Sequence, residues 1–296
     1  MPRAALPWCR AVSAAPFSAV FFEDRFLSAS DPGGARVSIT ERGYLLGEGV
    51  FATLRGYGGT CFRPGRHLTI LARGADAFGI VLPMSIERIA ALADEAALRS
   101  GAADAYVRVT LTSGTVRPVL SILARAQALP SADDYERGIP VTTVSARRMP
   151  PACMDPTIKT TSYAPSVLAR REAERSGTAE GLQLAIDGSL ACGTMANVFL
   201  YTNGVLSTPP LESGCRAGVT REAVLEIATR EGLEVREERI DPSAIFEADE
   251  LFLASTRVEC LPIARVDGRT IGRSEYPRTT ALRESLRHLV REESAR

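Results

Sequence analysis

The sequence predicts an α+β protein in two domains, and three observations carry that expectation. Stretches of period-2 alternation such as Tyr106–Thr112 stand among stretches of helical spacing such as 65–78 and 86–100. A chain of 296 residues is long enough for two ordinary cores. The polar run from Leu129 to Gly138 reads as a connection between them. The expected division is an extension over 1–17, a small N-terminal domain over 18–130, a linker over 131–138 and a larger C-terminal domain over 139–296.

Val20-Phe21-Phe22 and Phe26-Leu27 flank the polar Glu23-Asp24-Arg25 and predict a first hairpin. A short strand at Val37 and Ile39 follows the Pro-Gly-Gly break at 32–34. Gly43, Gly47 and Gly49 allow a tightly packed turn, after which Val50 to Arg55 forms a strand that returns through Gly58-Gly59 to Cys61-Phe62. Helix 65–78 buries His67, Leu68, Leu71, Ala75 and Phe78, and helix 86–100 buries Ile86, Ile89, Ala90 and Ala93 before Gly101 stops it. Strands at 106–112 and 119–123 complete this α+β unit.

The second half opens with a strand at 139–145 and a Pro-rich approach to Lys159, then a helix from Pro165 to Gly177. Leu182, Leu184 and Ile186 alternate as a strand into the Asp187-Gly188 turn, and Val198–Tyr201 pairs with Val205-Leu206 across Asn203-Gly204, a type I′ signal. Gly218-Val219-Thr220-Arg221 opens a helix with the apolar stripe Val224, Ile227 and Ala228, and a strand at Leu251–Ala254 runs into Ser255-Thr256.

A formal net charge of zero and no basic block argue against nucleic-acid or membrane partners, leaving a small-molecule substrate or a protein as the expected partner. No run approaches a membrane span, and residues 1–17 lack the apolar core of an export signal. The six cysteines are scattered without a C-x-x-C, which predicts reduced thiols in a cytoplasmic protein, and two histidines are too few for a histidine-rich metal site.

One residue stands out: of the 35 Lys+Arg residues, Lys159 is the only lysine. A chain that writes arginine wherever a solvated charge suffices keeps lysine where a titratable primary amine is needed, because an ammonium can lose its proton and attack a carbonyl and a guanidinium cannot. Ile158 and Tyr163 are placed to shield that amine, and Thr160, Thr161 and Ser162 surround it with hydroxyls. The helix opening at Gly218 offers free N–H groups and a dipole to an anion, with Thr220 as its expected cap and Ser255 and Thr256 as further hydroxyls for the same group.

A lone reactive lysine, a helix start suited to phosphate and no metal ligands together resemble the class IV aminotransferases, the type IV fold that uses pyridoxal 5′-phosphate (PLP). The segments that carry the resemblance are ERGYLLGEGVFATLR, IKTTSYAPSVLARREAERSG, DGSLACGTMANVF, LSTPPL, AGVTREAVLEIA and ADELFLASTRVECLPI, in that family's order from about Phe21 to Gly272. The resemblance implies a small N-terminal α/β domain, a larger C-terminal domain with a barrel-like sheet, a homodimer and amino-group transfer between an amino acid or amine and a 2-oxo acid. It implies Lys159 as the Schiff-base lysine, Val219, Thr220, Ser255 and Thr256 around the phosphate, Cys192 opposite the pyridine nitrogen, and Phe51 and Arg117 toward the substrate.

Three positions depart from the family pattern. Cys192 stands where the family has the glutamate that protonates the pyridine nitrogen, Ile70 where it has a phosphate-binding arginine, and Ala52 where a glutamate follows V-F. Charged hydrogen bonds are worth about 1.5–3 kcal/mol each, so weaker cofactor binding is expected unless Arg66 or Arg73, one turn either way from Ile70, replaces that arginine. Two other readings stay open at this point: a lyase on the same scaffold acting on aminodeoxychorismate, and a repurposed scaffold that no longer uses PLP for transamination.

Overall fold

The computed structural model describes residues 17–27, 34–272 and 275–294, and the chain divides into two compact units. The expected extension therefore lies, except for Phe17, outside the described residues.

The first unit runs to Ala128 and is built on a six-stranded antiparallel sheet in the order β2-β1-β6-β5-β3-β4. Its strands are β1 (Ala19–Phe22), β2 (Arg25–Leu27), β3 (Gly49–Tyr57), β4 (Thr60–Cys61), β5 (Asp104–Thr112) and β6 (Val119–Ala126). The hairpin between β1 and β2 turns on Glu23 and Asp24, whose φ of 48° and 65° supply the two left-handed residues that a type I′ turn requires. A short helix α1 (Arg42–Leu46) ends in a left-handed Gly47. Helices α2 (Pro64–Ala77) and α3 (Ile86–Arg99) bring Leu68, Leu71, Ile89, Leu92 and Ala93 into one core with Val50 and Leu54 of β3 and Val107, Val109 and Leu111 of β5. Each of these side chains buries about 1.5–3 kcal/mol of transfer energy, alanine less.

The second unit comprises Leu129–Pro156 and Ala164–Val290. Its strands are β7 (Ile139–Thr143), β8 (Glu180–Leu184), β9 (Leu190–Gly193), β10 (Asn197–Thr202), β11 (Val205–Thr208), β12 (Glu234–Glu237), β13 (Glu250–Ser255), β14 (Glu259–Val266) and β15 (Arg269–Thr270). Eight of them run in the order β12-β11-β10-β13-β14-β7-β8-β9, with β15 added beside β14. β9 and β10 stand well apart in that order, yet only residues 194–196 join them and Gly193 N–H bonds Ala196 O at 2.8 Å. The sheet has to curl until these strands lie side by side, and the result is the barrel-like form expected. Phe199 and Phe252 stack inside the unit at 5.1 Å, fully buried. Helices α4 (Ala132–Arg137), α5 (Ala164–Arg175), α6 (Val219–Arg230) and α7 (Pro277–Ser294) complete the chain.

The structure corrects four expectations. No strand forms at Val37 and Ile39, whose side chains are both exposed; without a partner strand their alternation has nothing to bury. The stretch expected as linker over 131–138 contains α4, because Ser131 and Asp134 form a reciprocal capping box and Tyr135 Oη reaches Val258 O at 3.1 Å. Residues Thr157–Tyr163 group with the first unit although the sequence assigned 139–296 to the second. Gly218, not Thr220, is the N-cap of α6, leaving Thr220 in the first turn.

Candidate functional site

The Lys159 segment is added to the first unit's sheet as a short strap. Phe51 N–H donates to Lys159 O at 2.8 Å, Thr161 N–H donates to Gly49 O at 2.8 Å, and Val50 and Thr160 form an isolated bridge. Thr161 Oγ1 donates to Gly47 O at 2.8 Å. The approach is so close that a Cβ at Gly49 would lie 3.1 Å from Thr161 Oγ1, and one at Gly47 would collide with Ser162 Oγ. The glycine spacing of this stretch therefore serves the strap.

Above the strap, Lys159 Nζ lies 4.9 Å from the ring centroid of Phe51, and Tyr163 meets the same ring edge-on at 5.3 Å. The guanidinium of Arg108, on β5, lies 3.8 Å from the Phe51 centroid with its Nε on Thr110 Oγ1 at 3.1 Å. No carboxylate among the described residues pairs with Arg108. Two cationic side chains thus share one aromatic ring, an arrangement that suits an anionic group between or beside them. His67 on α2 is buried, and its pKa is pushed down to about 3, first by burial and then by the positive charge of Lys159, so its imidazole is neutral. Arg117 sits in the turn after β5, exposed, with its guanidinium 3.9 Å from Glu23. Arg66 and Arg73 are exposed on α2 and Ile70 is half-buried.

In the second unit Cys192 lies on β9 opposite Gln183 of β8 and packs with Ala185, Ala191 and Cys215. Burial raises its thiol pKa, while the positive charges of Arg148 and Arg216 pull the other way without overcoming it. Cys192 is therefore a neutral thiol. Arg148 is itself buried, with Nε on Gly214 O at 2.7 Å, Nη1 on Ser166 Oγ at 3.3 Å, and no carboxylate partner among the described residues.

The start of α6 presents open donors. Gly218 caps it without any side-chain hydrogen bond, and a Cβ there would run into Asn197 Oδ1. Asn197 Nδ2 donates to Arg216 O at 2.8 Å, which fixes the approach to the helix. The N–H groups of Val219 and Thr220 have no partner among the described residues, and the hydroxyl of Thr220, a residue 7% exposed, has none either. Asn197 pairs with Ala254 of β13, so the half-buried Ser255 and Thr256, whose hydroxyls are likewise unpaired among the described residues, follow directly. Such a set of donors suits a phosphate monoester. Among the described residues no cluster of three or more His, Cys, Asp or Glu side chains is placed to hold a metal.

Arg108 and Arg148 carry no motif in the sequence. The alternation of Val107, Val109 and Leu111 does place Arg108 on the other face of its strand. Arg148 lies in irregular chain, where no periodicity marks a side chain as buried.

Residues 49–266 match the pattern of the family described as Amino-transferase class IV. The chain is 32% identical over 271 residues to the putative branched-chain-amino-acid aminotransferase of Methanocaldococcus jannaschii, covering 88% of this chain and 92% of that one. Its fold is similar to the crystal structure of the Escherichia coli branched-chain amino acid aminotransferase, with a TM-score of 0.87 at 26% identity over 93% of this chain and 95% of the other. It is also similar to the branched-chain aminotransferase of Thermoproteus uzoniensis solved with norvaline, with a TM-score of 0.84 at 28% identity over 93% and 95% of the two chains.

Proposed function

The chain belongs to the amino-transferase class IV family, and on that premise we propose that it transfers amino groups between an amino acid and a 2-oxo acid with PLP held at Lys159. The observation that carries this reading is the setting of the only lysine, strapped by its main chain to β3 with its amine over Phe51 and beside a buried neutral imidazole. Each unit by itself offers chemistry that the cofactor needs: the first an amine for the aldehyde, the second open donors at Val219, Thr220, Ser255 and Thr256 for a phosphate.

When bound, PLP supplies the aldehyde that captures the substrate amine and a conjugated ring that takes up the electron pair released when the Cα–H bond breaks. Lys159 Nζ takes that proton from Cα and returns it to the other side of the exchange. His67, held neutral, places no second positive charge beside Nζ. Arg108 grips the substrate carboxylate and Phe51 and Tyr163 form an apolar wall, which together with the names of the relatives favours a branched-chain amino acid. Arg117 is held as a second candidate for that carboxylate. Cys192, a neutral thiol, would not hold a proton on the ring nitrogen as a carboxylate would, which would leave the ring a poorer electron sink, and Ile70 in place of an arginine would lower affinity for the phosphate. The relatives support transamination over the lyase and the repurposed scaffold.

We further infer a homodimer, supported by the exposed Ile39, Tyr44, Leu45 and Leu46 on the first unit. The five free cysteines among the described residues fit a cytoplasmic setting. No helix among the described residues is long and apolar enough to cross a membrane.

Borohydride reduction of the PLP-saturated protein followed by peptide mapping tests the proposal. The pyridoxyl group is expected on Lys159, with leucine or valine discharging the bound cofactor to its amine form. Unmodified Lys159 after saturation overturns it.

A further inference from the structure

We propose that the guanidinium of Arg148 is the partner of the cofactor's ring nitrogen, donating a hydrogen bond from Nη2 to that nitrogen in its unprotonated form. The assignment rests on the functional reading above, in which Cys192 stands opposite the ring nitrogen. Three observations, all within the second unit, point to Arg148.

The first is its place. Arg148 N–H donates to Leu184 O of β8 at 2.8 Å, and its Nε donates to Gly214 O at 2.7 Å. Cys192 pairs with Gln183, the residue before Leu184, and packs in one cluster with Cys215, the residue after Gly214. The main chain and the side chain of Arg148 are therefore each anchored one residue away from a neighbour of Cys192. From Cys215 the chain runs through Arg216 to Gly218, the cap of α6, so one short stretch holds Arg148 at its start and opens the phosphate donors at its end.

The second is a donor left over. Arg148 is 9% exposed, with Nε on Gly214 O and Nη1 on Ser166 Oγ, while Nη2 has no partner among the described residues. A buried donor without an acceptor costs free energy that a ligand atom with a lone pair would recover.

The third is the charge around it. Burial raises the thiol pKa of Cys192 and pushes that of Cys215 up to about 12, so neither sulfur offers a negative charge. No carboxylate pairs with Arg148 among the described residues. Protonating a pyridine nitrogen beside this cation would set two positive charges together, and the neutral nitrogen keeps the lone pair that an N–H needs.

The test uses the full chain, PLP, and the deaza analogue of PLP in which a C–H replaces the ring nitrogen. The wild type should bind PLP about tenfold or more tightly than the analogue, the ratio that one hydrogen bond from a charged donor supplies. In Arg148→Met the two compounds should bind within about twofold of each other. With the ring nitrogen isotopically labelled, the NMR signal of PLP bound to the wild type at neutral pH should be that of an unprotonated pyridine. Should Arg148→Met fail to fold, the two wild-type measurements decide: the preference for PLP together with an unprotonated nitrogen supports the assignment, and equal affinities or a protonated nitrogen overturn it. A preference that persists in Arg148→Met, or one lost in Arg216→Met instead, overturns it as well. Binding of neither compound removes the functional reading and the assignment with it, whereas equal binding of both removes the assignment alone.

Discussion

The N–H of Phe51 donates to the carbonyl of Lys159 at 2.8 Å while the amine of the same lysine lies 4.9 Å from the Phe51 ring. One strand residue therefore fixes both the backbone and the side chain of the only lysine. The cation over the ring is worth about 0.5–1 kcal/mol when exposed and more when desolvated, enough to bias the rotamer toward the aromatic face.

Arg108 shares that ring and has no carboxylate partner among the described residues. Arg108→Met should therefore raise KM for amino-acid substrates about 10- to 100-fold, the loss of a charged hydrogen bond of about 1.5–3 kcal/mol, with a smaller effect on kcat. An amine lacking the carboxylate should be converted equally by both proteins. Arg117→Met, altering an exposed arginine beside Glu23, should leave both constants near wild type. Steady-state kinetics on the two substrate types separate the roles, and a KM effect at Arg117 instead would reassign the carboxylate.

Cys192→Glu should raise the rate of half-transamination with a simple amino acid by about tenfold or more, since each 1.4 kcal/mol of carbanion stabilisation is worth about that factor. The buried Arg148, without a carboxylate partner among the described residues, lies close enough to influence the thiol and would keep the new glutamate ionised. Cys192→Ser should give no gain. Single-turnover absorbance changes measure both variants, and an unchanged rate in Cys192→Glu with PLP bound would sink the electron-sink account.

His67 makes folding pH-dependent in a stated direction. Its folded pKa of about 3 lies below the unfolded value of 6.5, so the unfolded chain binds a proton that the native one does not. Stability is fully present above about pH 6.5 and declines as pH falls toward 3, by up to about 2 kcal/mol between pH 7 and pH 5 from this residue alone. Urea unfolding at the two pH values should show a smaller difference in His67→Gln than in the wild type.

Gly47→Ala tests the strap. Gly47 has a φ of 67°, and its added methyl group would collide with Ser162 Oγ, whereas Gly58, at a φ of 60°, has nothing within 4 Å of its added carbon. Left-handed strain alone costs about 1–3 kcal/mol, so both variants should lose stability, and Gly47→Ala should lose more. Only Gly47→Ala should also impair borohydride trapping at Lys159. Equal behaviour of the two would show that the strap tolerates the displacement.

Much of this arrangement could be read from residue order because it depends on local chemistry. A single lysine among arginines marks itself, Glu23-Asp24 and Asn203-Gly204 announce their hairpins, and Gly218 with Thr220 marks a helix start even though the capping role falls to the glycine. What escaped depends on partners distant in sequence. The strap joins residues about a hundred positions apart through main-chain bonds that carry no side-chain signature. The burial of Arg148 depends on Gly214 and Ser166. Val37 and Ile39 alternate as a strand would, and only the missing neighbour leaves them exposed.

Lys159 also gives the protein a built-in reporter. Its ε-amine is the only one in the chain, so an acylating reagent that ignores α-amines has a single target, half-buried above the strap. The acylation rate reads local opening at that one position, against a background that needs no mutagenesis to silence. Intact mass on a time course would show one addition or none, and a bound cofactor would appear as protection from it.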